Sequence, residues 1–173
     1  MKVVFLDRDG VINQEVEYLY SSNDFIFIDG VFQTFRKLIS YGFHLIIVTN
    51  QSGIARGYYS EKDFHDLTSW MLKKFSQEGI QFLDIFFCPH GPKSFCNCRK
   101  PKPGMLLNAK QRYDIDMTNS WMIGDKNEDL IAANSAGIKN TILLKSGHPI
   151  DEQTSDAKYI LKSIKECLEV IKF

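Results

Sequence analysis

Short apolar, β-rich runs alternate along this chain with stretches of helical spacing, and that alternation narrows the possible folds more than any other feature. Val3 to Leu6 reads as a buried strand, as do Leu45 to Val48, Asp84 to Phe87, Trp121 to Ile123 and Thr141 to Leu144. Between the first two, Phe32, Phe35, Leu38 and Ile39 recur at helical spacing until Tyr41-Gly42 ends the pattern. Ser60 with Asp63 three residues later predicts a capping box that opens a long helix to about Glu78. Helical stretches are expected near 105–113 and 130–136, with a last helix from Ser163 capped through Glu166. Strands alternating with helices imply a mainly parallel sheet covered on both faces, because each parallel crossover lays a helix over the sheet. The 173 residues suit one α/β domain, 1–173, without repeats or linkers.

Composition removes several function classes. Lys plus Arg and Asp plus Glu both total 21, so the chain lacks the basic footprint of a general nucleic-acid binder. No apolar run approaches the ~18–20 residues that span a bilayer. The N-terminus turns acidic at Asp7, too early for the apolar core of a secretory signal. The expectation is a soluble, cytoplasmic protein with no nucleic-acid or membrane partner.

Three of the four cysteines sit in one short segment with a histidine: Cys88-Pro89-His90, five residues, then Cys96-Asn97-Cys98. A disulfide framework needs oxidising surroundings. Three soft thiolates and an imidazole instead match the closed tetrahedral shell of a structural Zn2+. Cys167 falls among Ile164, Leu168 and Ile171 at helical spacing and reads as a small core residue.

The polar clusters lie where the strands end, and in open α/β sheets that is where ligands bind. The first strand ends in Asp7-Arg8-Asp9-Gly10, the second in Thr49-Asn50-Gln51-Ser52-Gly53 and a later one in Gly124-Asp125-Lys126, while Arg99-Lys100-Pro101 closes the cysteine segment. Asp7, Asp9 and Asp125 offer hard oxygen ligands for Mg2+. Lys100, Thr49 and the backbone near Ser52-Gly53 offer charge and donors to a phosphoryl group. A carboxylate can attack phosphorus to give an aspartyl-phosphate, with a second carboxylate as acid and then base.

These segments resemble the haloacid dehalogenase superfamily of phosphotransferases, whose first motif is Asp-x-Asp-Gly followed by Val or Thr. Residues 49–57, the cysteine segment, residues 98–105 and Gly124-Asp125-Lys126 narrow the likeness to its heptose bisphosphate phosphatase and histidinol-phosphate phosphatase branch, over residues 2 to about 144. The resemblance implies a Rossmann-like three-layer α/β/α fold with the zinc-binding loop, residues 88–98, as a minimal cap. It implies Asp7 as nucleophile and Asp9 as general acid/base. Mg2+ would be held by the Asp7 carboxylate, the Asp9 backbone carbonyl and Asp125. Thr49 and Lys100 would stabilise the phosphoryl group, and Arg99 would bind the remote phosphate. Arg8, Glu15, Val16, Glu17, Tyr18, Asn50, Gln51, Ser52 and Lys126 would line the substrate pocket. Cys88, His90, Cys96 and Cys98 would hold structural Zn2+, although the spacer between His90 and Cys96 is shorter than in many heptose members. The implied reaction removes the 7-phosphate of a heptose 1,7-bisphosphate in ADP-heptose or GDP-heptose precursor synthesis, feeding lipopolysaccharide or other surface glycans, by a monomer.

The alternatives are histidinol phosphate or another small sugar phosphate as substrate, and, in a different class, a non-catalytic zinc-loop interaction module. The second would be marked by loss of Asp7, Asp9 or Asp125, and all three are present. Phe25, Phe27, Phe32, Phe35 and Phe43 read as core, His44 and His65 as structural, and Lys73-Lys74 as a solvated helix face. His148, in a turn-like Gly-His-Pro segment, receives no role.

Overall fold

In the computed structural model, which describes residues 1–150, 152 and 155–172, six parallel strands form one sheet. They are β1 (Val3–Leu6), β2 (His44–Asn50), β3 (Asp84–Cys88), β4 (Trp121–Gly124), β5 (Asn140–Leu144) and β6 (Tyr159–Leu161). Their spatial order is β3-β2-β1-β4-β5-β6. The chain therefore winds outward in one direction from β1 and in the other from β4. The reversal leaves a crevice outside the carboxyl ends of β1 and β4, the switch point at which such sheets bind ligands. Asp7 and Asp125 are the first residues past those two ends.

Strand alternation divides the core into two layers. Val4, Leu6, Leu45, Ile47 and Ile123 face one side and pack under α1 (Val31–Ser40), α2 (Glu61–Gln77) and the short C-terminal α5 (Cys167–Val170). Val3, Phe5, Ile46, Val48 and Met122 face the other side, under α3 (Gly104–Tyr113) and α4 (Asn127–Ser135). A two-residue period on buried parallel strands dictates this split, and the three-layer α/β/α arrangement follows.

The expected elements appear with small boundary shifts. Ser60 and Asp63 form the capping box: the Asp63 N–H donates to Ser60 Oγ at 3.1 Å and the Ser60 N–H to Asp63 Oδ2 at 2.8 Å. The expected helix at Ser163 differs. Ser163 makes no side-chain cap, and Glu166 accepts from the Lys162 N–H at 3.0 Å, so the chain makes a 3-10 turn, Ile164–Glu166, before α5. Strand β6 was absent from the sequence reading. It is a three-residue edge strand flanked by Lys158 and Lys162, so it carries no apolar run of diagnostic length.

Between β1 and α1 the chain doubles back on itself. The Gln14 N–H donates to the Ile26 carbonyl at 2.8 Å and the Ile28 N–H to the Ile12 carbonyl at 2.9 Å. This flap carries residues 15–18 to the mouth of the crevice.

The phenylalanines fill the core under α1 and α2, as their spacing suggested. Phe75 is fully buried, with Phe27, Phe32, Phe35 and Phe82 around it at ring separations of 4.9–5.6 Å. Phe75→Ala should lower unfolding free energy by about 3–5 kcal/mol in a denaturant titration, because removing the fully buried ring loses its transfer energy and leaves a cavity among its neighbours.

Candidate active site

The crevice is a cleft of about 340 Å³. It is lined by Asp7, Arg8, Asp9, Glu15 to Tyr18, Asn50 to Ser52, Arg99, Lys100 and Lys126, which the sequence had nominated from separate segments. Thr49 and Asp125 are buried at the ends of β2 and β4.

At its floor the Lys100 ammonium lies 3.0 Å from Asp7 Oδ1 and 2.6 Å from Asp129 Oδ1, and donates to the Val48 carbonyl at 2.7 Å. The backbone of Lys100 is gripped twice by one side chain. Asn50 Nδ2 donates to its carbonyl, and its N–H donates to Asn50 Oδ1, both at 3.0 Å. Asn50 lines the cleft, but these contacts also make it the residue that orients the lysine. Thr49 Oγ1 accepts from Gln51 Nε2 at 2.9 Å, and Tyr59 donates to Gln51 Oε1 at 2.5 Å.

Asp9 is held differently. The Arg8 guanidinium straddles its carboxylate with bonds of 2.9–3.2 Å, Asn13 Nδ2 donates at 3.0 Å and Gln51 Nε2 at 3.2 Å. Burial pushes the Asp9 carboxyl up, but the arginine and these donors outweigh it and hold the group below the ordinary carboxylate range. Arg8 faces the cleft, and its contacts assign it first to Asp9.

Gly10 completes the turn after Asp9 with φ +82°, and a β-carbon there would overlap the Asp125 carboxylate. Only glycine satisfies both conditions.

Asp7, Asp125 and Asp129 place carboxylate oxygens within 4.8 Å of one another. Burial, opposed by Lys100, pushes Asp7 up to about 6; burial also raises Asp125 and Asp129. Asp125 Oδ1 is buried with no hydrogen-bond partner among the described residues. Three crowded carboxylates with one lysine lack positive charge, and one of them carries an orphaned oxygen. This donor set fits a hard divalent cation.

Asp129 was missed. An acidic residue at the third position of a helix reads as a cap, and its Oδ2 does accept from the Lys126 N–H at 3.1 Å, while Oδ1 takes the lysine. Arg56, Tyr59 and His148 also line the cleft without having been nominated. For His148 the absence of a role is corrected: its Nδ1 lies 2.6 Å from Asp125 Oδ2. The signal was hidden because 23 residues separate the pair.

Beside the cleft, Cys88, His90, Cys96 and Cys98 converge despite the short spacer. Sulfur–sulfur separations are 3.1 and 3.8 Å, and His90 Nδ1 lies 3.5 Å from Cys88 Sγ and 3.3 Å from Cys98 Sγ. Zn–S bonds of about 2.3 Å in a tetrahedron put sulfurs about 3.8 Å apart, so the cluster fits a structural zinc with small adjustments. Cys88 ends β3 opposite Asn50, and its carbonyl accepts from the Gln51 N–H at 2.8 Å, joining the cluster to the floor of the cleft.

A family model described as HAD-hydrolase-like matches residues 97–167. The D-glycero-beta-D-manno-heptose-1,7-bisphosphate 7-phosphatase of Vibrio cholerae is 48% identical, across 94% of this chain and 92% of that one. The chain belongs to the D-glycero-D-manno-heptose-1,7-bisphosphate 7-phosphatase family of HAD-like hydrolases. Within that family, the alpha-bisphosphate enzyme of Photorhabdus laumondii is 46% identical, across 91% and 90% of the two chains. The crystal structure of D,D-heptose 1.7-bisphosphate phosphatase from B. bronchiseptica, complexed with magnesium and phosphate, superposes with a TM-score of 0.85 at 32% identity, across 99% and 100% of the chains.

The raised Asp7 has a measurable consequence. A carboxyl that binds its proton more tightly folded than unfolded stabilises the fold as pH falls toward its folded value. Asp7 at about 6, against 3.8 ordinarily, and Glu15, pushed by burial up to about 7, both act in this direction. The melting temperature of metal-free protein should therefore rise as pH is lowered from 8 to 6. Excess Mg2+ should flatten that rise by holding the carboxylates ionised.

Proposed function

We propose that the protein hydrolyses the 7-phosphate of D-glycero-D-manno-heptose 1,7-bisphosphate through an aspartyl-phosphate on Asp7. The observation that carries this reading is the buried Asp7 carboxylate at the switch point, paired with Lys100 and opening onto a cleft whose mouth holds Arg56, Arg99 and Lys126.

Asp7 attacks phosphorus, and the bond from phosphorus to the C7 oxygen breaks. Asp9 passes a proton to that oxygen; the like charge of an arriving phosphate raises its hold on the proton. As a carboxylate, Asp9 then takes a proton from water, the water oxygen attacks phosphorus, and the bond to Asp7 breaks to give inorganic phosphate. Lys100 and Thr49 stabilise the phosphoryl oxygens, and Arg99, whose fork suits phosphate, takes the remote phosphate. The Asp7 carboxylate, the Asp9 backbone carbonyl and Asp125 would hold Mg2+, with Asp129 close by. Bound there, Mg2+ supplies the positive charge that lets phosphate approach and withdraws charge from the phosphoryl oxygens.

Zn2+ in the cysteine cluster has a positioning role, because a closed shell leaves no position for an activated water. The reading extends to one domain, residues 1–173, working as a cytoplasmic monomer without nucleic-acid or membrane partners. It is supported by a single sheet that spans the chain, balanced charge and, among the described residues, no helix long and apolar enough to cross a membrane.

Asp7→Asn should still unfold in one cooperative transition, with a shifted midpoint because the Lys100 ion pair is lost, and lower turnover by at least about three orders of magnitude. Phosphate release is measured on both anomers of the heptose bisphosphate, on histidinol phosphate and on simple sugar phosphates. Near-parent turnover by the variant would reject the covalent route, and preference for histidinol phosphate would reject the substrate.

Elemental analysis of protein made under reducing, zinc-replete conditions should find one zinc per chain that survives Mg2+ removal. Cys96→Ala should lower zinc content and slow the heptose bisphosphate reaction more than that of a small activated phosphate ester, which needs Arg99 less. Equal loss on both substrates would point to general unfolding.

A further inference from the structure

The loop after β5 reaches the site through a histidine that the chemistry above does not use. Asp125 is fully buried, and one residue occupies one of its oxygens twice. Asp125 Oδ2 accepts the His148 backbone N–H at 3.1 Å and faces His148 Nδ1 at 2.6 Å. A carboxylate oxygen can only accept, so Nδ1 carries the hydrogen. The other oxygen, Oδ1, is buried and has no hydrogen-bond partner among the described residues.

The terminal torsion of an aspartate is broad and two-fold, so its oxygens exchange unless one is tied down. His148 ties down Oδ2. The imidazole is also flanked on its far side, where Nε2 lies 3.7 Å from Glu15 Oε1. The loop itself is fastened to the Asp-x-Asp-Gly turn, because Ser146 Oγ donates to the Gly10 carbonyl at 2.8 Å. Gly147 brings the backbone so near that a β-carbon would overlap the Asp125 carboxylate.

We propose that His148 is a positioning residue that fixes Asp125 through Oδ2 and so presents Oδ1 to the divalent cation. The proposal rests on the metal reading given above. His148 would not touch the metal or the substrate; it would act on metal affinity through the ligand. Loss of such an outer partner typically weakens metal binding about 10–100-fold.

The test is calorimetric titration of MgCl2 into protein dialysed free of Mg2+, with thermal unfolding of the same samples as the control for folding. His148→Ala should bind Mg2+ at least about tenfold more weakly than the parent. His148→Asn places an amide nitrogen where Nδ1 stands and should bind within about threefold of the parent. Equal affinity in parent and His148→Ala would overturn the proposal. So would equal weakening in both variants, since loop packing rather than the Nδ1 donor would then be responsible. A parent that releases phosphate yet binds no Mg2+ would overturn the metal reading itself, and this proposal with it.

Discussion

One buried ammonium group holds the crevice together. Lys100 is 4% exposed, and its charge is met by Asp7 beyond β1, Asp129 in the first turn of α4 and the Val48 carbonyl of β2. Burying a lysine costs several kcal/mol unless it is paired and hydrogen-bonded, so these groups are required where they stand. The dependence is mutual. Without the lysine, Asp7, Asp125 and Asp129 would crowd their buried carboxylates together with no cation between them. One cation therefore ties together the carboxyl end of β1, strand β2 and the first turn of α4, and Asn50 fixes the backbone that delivers it.

The cysteine cluster belongs to the same constraint. Cys98 lies two residues before Lys100, so the chain entering the crevice is anchored immediately upstream. Ordering a free loop costs about 1–2 kcal/mol per residue in backbone entropy alone. A cluster rooted on Cys88, the last residue of β3, fixes part of that loop independently of substrate. The anchoring continues downstream, where Lys102 Nζ donates to the Cys96 carbonyl at 2.5 Å and the Gly104 N–H to the Asn97 carbonyl at 3.1 Å. Arg99 lies between these tethers, and its guanidinium donates to the His90 carbonyl at 3.3 Å.

What could be read from the sequence follows from how far apart cooperating residues lie. Asp7, Asp9, Thr49 and Asp125 each sit at the end of an apolar run, so locating the strands located them. Cys88, His90, Cys96 and Cys98 carry their chemistry in local spacing. Asp129 did not stand out, because a helix-capping acid and a buried ion-pair partner look alike in sequence, and it is both. His148 meets Asp125 only because β4 and β5 are neighbours, which no local pattern records. The C-terminal segment defeated the helix reading for a different reason. Glu166 capped the Lys162 backbone in place of Ser163, and a 3-10 turn resulted.

Charge in the cleft runs from net negative on the floor to balanced at the mouth, where Arg56, Arg99 and Lys126 meet Glu15, Glu17 and Glu128, and the difference bears on how binding energy is used. On the floor and inner wall, Asp7, Asp9, Asp125 and Asp129 outnumber Arg8 and Lys100, and both cations are already in ion pairs. A phosphate dianion entering there meets net repulsion until a divalent cation is bound. Arg99 makes no ion pair among the described residues, and the Arg56 guanidinium sits 5.9 Å from the Tyr18 ring centre, also without one. In the function proposed above, ground-state attraction would come from the distal phosphate, while the reacting phosphate would gain most when charge shifts to the oxygens facing Lys100. Binding drawn from a remote group and applied to an otherwise unwelcoming centre lowers the barrier instead of merely tightening the complex. On that reading a doubly phosphorylated sugar suits the cleft, because each end of the substrate would perform a different task.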